Sequence, residues 1–396
     1  MSRHNRQHAI STLVRPNRER PVPLGLAGFF VAFIFTAVAL SGAVNIFRVA
    51  SVSYTAVVAA ITGVVDLTLV LHYNRVPRSA ARVAAPFLAF LAWMFGTLII
   101  NGTTRQGVQF LTVEIAFVSA LLLASTAHLV TGGHLDIVVA RCIRFTTVVL
   151  IGLETLGAKQ FGGGRGGVMV SLLCLSWFLA EFRLGNRRSG WWSLATLLGI
   201  GISLSRTAII AGLVLFALTM LLVPGKRRIR NAALCVLVVA AGAWAVTSWA
   251  PLRDRFTQGD LSASVAGIKI NTEGRTQVWD VLWAGVQNEP LIGHGPGSAS
   301  ALSVSLDPAF DNPHNDYLRL LYDFGIVGLV LFAWFATRIT RLLRHVRKRS
   351  SDFIPAAAGL NAGLAILILM ATDNPLDYAF VMIPLGAMFG LGLGTT

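Results

Sequence analysis

The run NPHNDYLRLLYDFGIVGLVLF, residues 312–332, joins a polar, titratable head directly to an apolar tail. Asn312 suits a helix cap and Pro313 the first helical turn, where a missing N–H removes no bond. Tyr317, Leu320, Leu321 and Phe324 then recur at helical spacing, and Gly325 offers a break before Ile326 leads into a membrane-like segment. This reading puts His314 where a water-exposed loop meets lipid. It makes the fold class depend on whether the rest of the chain is also built for a bilayer.

Composition answers that. Of 396 residues, 55% are hydrophobic and 13% charged, and the mean hydropathy is +0.67. A soluble chain of this length has no way to hide so much apolar surface, so the fold class is an all-α polytopic membrane protein. Apolar blocks near residues 24–43, 54–71, 83–100, 106–125, 137–157, 167–181, 191–204, 206–223, 229–249, 326–340, 354–371 and 376–394 predict about 12 transmembrane helices. Ala37-Val38-Ala39 resembles a signal-peptide cleavage site, but the block length and the spans that follow favour a retained first helix. Cys142, Cys174 and Cys235 all lie inside apolar blocks without metal-ligand spacing, and an odd number is no disulfide framework.

The net charge of +15 would suit a nucleic-acid binder, but the distribution of charge excludes that partner. Basic residues concentrate in the tail 1–23, around Arg75, Arg78 and Arg82, around Arg183, Arg187 and Arg188, at 226–230, and at 338–349. These are alternate connections, so the positive-inside rule puts both termini in the cytoplasm of an inner-membrane protein. The resulting organisation is a cytoplasmic basic tail (1–23), helices 1–9 (24–249), a large extracytoplasmic loop between helices 9 and 10 (250–325), and helices 10–12 (326–396). A loop of that length is usually functional. Within it, TQVWDVLWAGVQ (276–287) reads as a short amphipathic helix at the interface, and Gly293–Gly297 as a tight turn.

Several residues could carry chemistry. An imidazole titrates near neutrality, so His314 can act as a general base, although a lone histidine at a helix start also suits a structural hydrogen bond. Arg206, in Ser203-Leu204-Ser205-Arg206 between two apolar blocks, either snorkels to the interface or lines a pocket. Arg275 follows Glu273-Gly274 at the head of the amphipathic helix. Two arginines at the outer surface can grip a diphosphate through charge-assisted forks. The glycine-rich KQFGGGRGG (159–167) carries Arg165, but no strand precedes it to make a nucleotide loop. Asp66, Glu114 and Glu154 fall inside predicted spans, as buried hydrogen-bond partners or cation-path residues. Asp373 and Asp377 flank the last outer turn and could orient a cation or hydroxyl. No His/Cys/carboxylate group has metal spacing, so neither a metal nor a cofactor is predicted.

Three segments taken together resemble the O-antigen ligase and polymerase superfamily of polytopic membrane glycosyltransferases. SLSRTAIIAGLVLF (203–216) is similar to that family's Ser-Arg at the head of a span. GRTQVWDVLWAGVQNEPLIGHGPGS (274–298) is similar to its Gly-Arg, tryptophan, Pro-Leu-x-Gly and Gly-x-Gly run. The 312–332 stretch is similar to its His-Asn, leucine-rich helix and Gly-hydrophobic-x-Gly sequence. The matches fall in the family's order over residues 203–332.

The resemblance implies a metal-independent C-type glycosyltransferase that moves a glycan from a polyprenyl-diphosphate carrier to a glycan, lipid or protein hydroxyl outside the cytoplasm. It implies His314 as catalytic residue, Arg206 and Arg275 as catalytic, diphosphate-binding cations, and Arg165 and Asn315 as further substrate contacts. A repeat-unit polymerase and a protein O-oligosaccharyltransferase share these motifs and differ in acceptor. A twelve-span transporter is the reading from another class; it would favour internal repeats and broken helices near the midplane.

Overall fold

A computed structural model describes residues 25–42, 48–49, 52–131, 133–156, 164–221, 228–257, 263–265, 268–270, 274–307, 312–350 and 353–394. The chain is helical, with two short antiparallel ribbons, β1 (Arg48–Val49) with β2 (Val52–Ser53) and β3 (Ala263–Val265) with β4 (Ile268–Ile270). A helix stands at each of the twelve apolar blocks. In chain order these are α1 (Gly25–Ser41), α2 (Tyr54–Tyr73), α3 (Arg78–Asn101), α4 (Arg105–Thr131), α5 (His134–Thr155) and α6 (Gly164–Arg183). Next come α7 (Arg187–Ile202), α8 (Arg206–Leu221) and α9 (Arg228–Ser248). The polar connection after α9 holds α10 (Ala250–Thr257), α11 (Arg275–Asn288) and α12 (Ser298–Leu306). The chain closes with α13 (Asp316–Arg349), α14 (Ile354–Leu369), a 3-10 turn (Pro375–Asp377) and α15 (Ala379–Leu393).

Among the described residues, 6 helices are long and apolar enough to cross a membrane by length and composition: α2, α3, α4, α6, α9 and α13. Helices α1, α8, α14 and α15 are equally apolar but shorter. At 1.5 Å per residue, a helix of 16 residues such as α8 or α14 reaches about 24 Å, less than the hydrocarbon core of about 30 Å. The chain is therefore a multi-pass membrane protein. Helix α9 packs on α8 and is otherwise lined with exposed Val236, Leu237, Val239 and Trp244, the surface expected against lipid.

The centre of the bundle is α15, every residue of which is buried, lying along α4. Contact this close needs small residues. A Cβ on Gly386 would overlap the Phe117 carbonyl oxygen, and one on Gly390 that of Leu121. This four-residue glycine stripe lets two backbones approach where lipid provides no hydrophobic drive. Gly390→Val forces α15 off α4 and should destabilise the fold by about 1–3 kcal/mol or more, measured as thermal unfolding in detergent. An unchanged midpoint would mean the two helices separate without cost.

Helix α13 starts and bends for reasons visible in its sequence. Its N-cap is Asn315, whose side-chain oxygen accepts the Leu318 N–H at 3.1 Å. The expected cap, Asn312, lies outside the helix: it accepts the Ser300 hydroxyl at 2.9 Å, and the Pro313 carbonyl accepts the Trp279 indole N–H at 2.7 Å. The helix therefore begins at Asp316, three residues beyond Pro313.

Gly325 breaks α13, with φ 63 and ψ −170. The groups released by the break are all taken up. The Ile326 N–H donates to Pro290 O at 2.9 Å, and the Tyr322 and Asp323 carbonyls accept from His294 N at 2.9 Å and Gly295 N at 2.8 Å. Trp93 donates its indole N–H to Phe324 O at 3.0 Å. A Cβ at Gly325 would overlap the Leu291 carbonyl, so only glycine fits both the dihedral and the space. The predicted turn at 293–297 is the partner of this kink, with Gly293, Gly295 and Gly297 all left-handed. The carboxylate of Asp323 then accepts Gly297 N at 3.0 Å and Ala299 N at 2.8 Å, closing the N-terminus of α12.

Candidate functional site

The turn between α14 and α15 is where the separated motifs meet. Arg275 opens α11 directly after left-handed Gly274 (φ 80), and its Nη1 donates to the Thr372 carbonyl at 3.1 Å. Arg206 is the first residue of α8, and its neighbour Thr207 shares a hydroxyl–hydroxyl hydrogen bond with Thr372. His314 turns Nδ1 toward Asp373 Oδ1 at 3.7 Å and Asn374 Nδ2 at 3.5 Å. Three residues in a row, Thr372, Asp373 and Asn374, thus touch all three sequence motifs. His314 is 5% exposed and Asn374 fully buried, while Arg206 and Arg275 are half-buried.

Backbone strain concentrates here as well. Among the described residues, Asn74, Leu204 and His314 are the non-glycine residues with positive φ, at 47, 60 and 52. Leucine is poorly suited to that region, yet Leu204 sits two residues before Arg206, in a turn where Ser205 N donates to Ser203 Oγ at 3.3 Å. Strained backbone next to two of the candidate residues is the pattern of a site whose geometry is held by its surroundings.

Beneath the turn lies a buried ionic cluster. Arg319, 1% exposed, pairs through Nη2 with Asp316 Oδ1 at 3.0 Å and through Nη1 with Asp377. Its guanidinium lies 4.3 Å from the centroid of the Phe110 ring on α4. Asp316 also accepts Leu376 N at 3.0 Å, and its own N–H donates to Met370 O at 2.8 Å. A lone buried cation would be costly; two carboxylates and an aromatic face offset its desolvation. The cluster ties the start of α13, and so His314, to the turn that carries Asp373 and Asn374.

Of the sequence-predicted residues, the structure gathers His314, Arg275 and the Arg206 end of α8 at one turn. Asn315 serves as the cap of α13. Arg165 lies in the first turn of α6, and its side chain is outside the described residues; the adjacent Gly166 packs on Phe380 at the start of α15. Arg319, which falls within the 250–325 connection, is interior rather than a solvated loop cation. Asp377 takes that cation, whereas Asp373 faces His314. Thr372 and Asn374 are not among the sequence candidates; the polar run TDNPLD (372–377) between two apolar blocks is the available signal. Asp66 and Glu114 are buried, and none of their carboxylate oxygens has a hydrogen-bond partner. Among the described residues no three His, Cys, Asp or Glu side chains group to hold a metal.

Arg275, the end of α8 that carries Arg206, and His314 meet where a polar connection joins apolar helices, an arrangement of cations beside an imidazole that can bind an anion. No curated protein matches the chain. Residues 191–333, less than half of the chain, match the family model described as O-antigen ligase. That region runs from α7 through the kinked start of α13 and holds Arg206, Arg275 and His314, and over it the chain is similar to the O-antigen ligase family.

Proposed function

We infer that this protein is a membrane glycosyltransferase that moves a glycan from a polyprenyl-diphosphate carrier to an acceptor hydroxyl. The observation that carries the reading is the convergence of the three motifs on Thr372, Asp373 and Asn374. Arg206 and Arg275 hold the donor's diphosphate. His314 takes the proton of the acceptor hydroxyl as the acceptor oxygen bonds to the anomeric carbon. The bond from that carbon to the diphosphate breaks, with inversion, and polyprenyl diphosphate leaves. Negative charge grows on the leaving group in the transition state, so arginines poised there lower the barrier more than they tighten binding. The scheme requires the tautomer with Nδ1–H toward Asp373 Oδ1, which leaves the basic lone pair on Nε2. Neither a metal nor a cofactor enters this scheme.

The same reading takes all twelve apolar helices as spans, the shorter ones tilted or partly interfacial, with both termini cytoplasmic. Alternation of basic connections supports it. The connection 250–325 then lies outside the inner membrane together with the reaction. A ligase acceptor, rather than a second lipid-linked repeat or a serine or threonine of a protein, is favoured by the long connection with few other insertions. Cells without the protein should accumulate full-length lipid-linked chains; single repeats would instead identify a polymerase.

The direct test uses purified full-length protein and a polyprenyl-diphosphate-linked glycan. Arg275→Ala removes a donor to the leaving group and is expected to lower transfer about 10²–10³-fold. Transfer at the normal rate would remove Arg275 from the mechanism. Uptake into vesicles without any glycan transfer would replace this reading with a transporter.

A further inference from the structure

We propose that the protein holds an anionic phospholipid at the membrane face opposite His314, with its headgroup on Arg183, Arg344 and Arg347 and an acyl chain in the cavity above them. A cavity of about 330 Å³ lies between α6, α8, α13, α14 and α15. Its walls are mostly apolar, with Phe335, Ile339 and Leu367 typical, and no carboxylate lines it. At one end stand the three arginines. Arg344 and Arg347 share a face of α13 by their three-residue spacing, and Arg183 ends α6. Arg183 and Arg347 lie close enough to repel one another, and among the described residues no salt bridge engages any of the three.

Basic residues at helix ends ordinarily snorkel into bulk headgroups. These three differ in lining one apolar cavity from two helices, so a single molecule can satisfy the charges and fill the space. Arg344 is 18 residues beyond Ile326, where α13 resumes after its break, about 27 Å along the helix at 1.5 Å per residue, close to the thickness of a bilayer's hydrocarbon core of about 30 Å. The arginines therefore stand at headgroup level of the far leaflet, distant from the proposed diphosphate site. The cavity's other end reaches Met370 and Leu376, both hydrogen-bonded to Asp316, so its occupant supports the turn that carries Asp373 and Asn374 from below.

The experiment adds phosphatidylglycerol or phosphatidylcholine with matched chains to full-length protein in uncharged detergent. Bound lipid is counted by native mass spectrometry and thermal midpoints are recorded. Phosphatidylglycerol is expected to stay bound and raise the midpoint, and phosphatidylcholine to do neither. The triple variant Arg183→Gln, Arg344→Gln, Arg347→Gln should bind phosphatidylglycerol about a hundredfold more weakly. Should it fail to fold, Arg347→Gln alone should show a smaller loss. Ala336→Trp, which fills the cavity and keeps the charges, should also lose the lipid. Undiminished binding by Ala336→Trp, equal binding of phosphatidylcholine, equal protection by inorganic phosphate, or displacement by an uncharged polyprenol would each overturn the proposal.

Discussion

His314→Asn is expected to abolish glycan transfer, by about 10²–10⁴-fold, while the protein remains folded. The magnitude is that of removing a positioned general base. Asparagine is the informative replacement because of the backbone. His314 has φ 52, a conformation that asparagine adopts far more readily than alanine, so His314→Asn separates loss of the base from backbone strain. The carboxamide has no basic nitrogen to accept a proton at neutral pH. Transfer is measured from purified lipid-linked donor, with thermal unfolding as the control for the fold. A variant that transfers at the normal rate would reduce His314 to a structural partner of Asp373 and Asn374. Loss of activity together with a lowered midpoint would assign it to holding the turn.

Arg319→Met should be the most destabilising of the substitutions considered, by about 3–5 kcal/mol. Methionine approximates the apolar stem but withdraws the cation that Asp316 and Asp377 share, leaving two carboxylates facing one another in the interior. The contact with Phe110 goes as well. The variant is expected to be purified in low yield, with a clearly lower unfolding midpoint. Adding Asp377→Asn to Arg319→Met should recover part of the loss, because one of the two uncompensated carboxylates is then neutral. An unchanged midpoint in Arg319→Met would mean that the pairing contributes nothing net. In that case the anchoring of α13 would rest on the Asp316–Leu376 and Asp316–Met370 hydrogen bonds.

These substitutions test different levels of the molecule. Arg275→Ala and His314→Asn address the reaction while leaving packing in place. Arg319→Met and Gly390→Val address the scaffold that brings α8, α11 and α13 to one turn. A result in which both groups behave alike, losing stability and transfer together, would mean that the turn is a structural hub and that the chemistry lies elsewhere.

What the amino-acid sequence determined alone was the helical blocks, the membrane class, the amphipathic helix that runs from Arg275 to Asn288, and the break at Gly325. Each of these is local. Apolar run length, periodicity and the dihedral freedom of one glycine need no knowledge of distant residues. The order of three short motifs also pointed to Arg206, Arg275 and His314 before any geometry. The cap of α13 was misplaced by three residues because Asn312 and Asn315 are equally good caps on sequence. Contacts from Ser300 and Trp279 draw the Asn312-Pro313 segment away from the helix.

Only the tertiary structure decided which groups meet. Thr372 is separated from Arg275 by 97 residues and from Thr207 by 165, and Asn374 from His314 by 60, so no local pattern links them. The same holds for Arg319, which is a loop arginine in sequence but an interior cation once Asp377 and the Phe110 ring close over it. Burial turned a surface charge into a fixed connection between the start of α13 and the α14–α15 turn. That connection puts His314 beside Asp373.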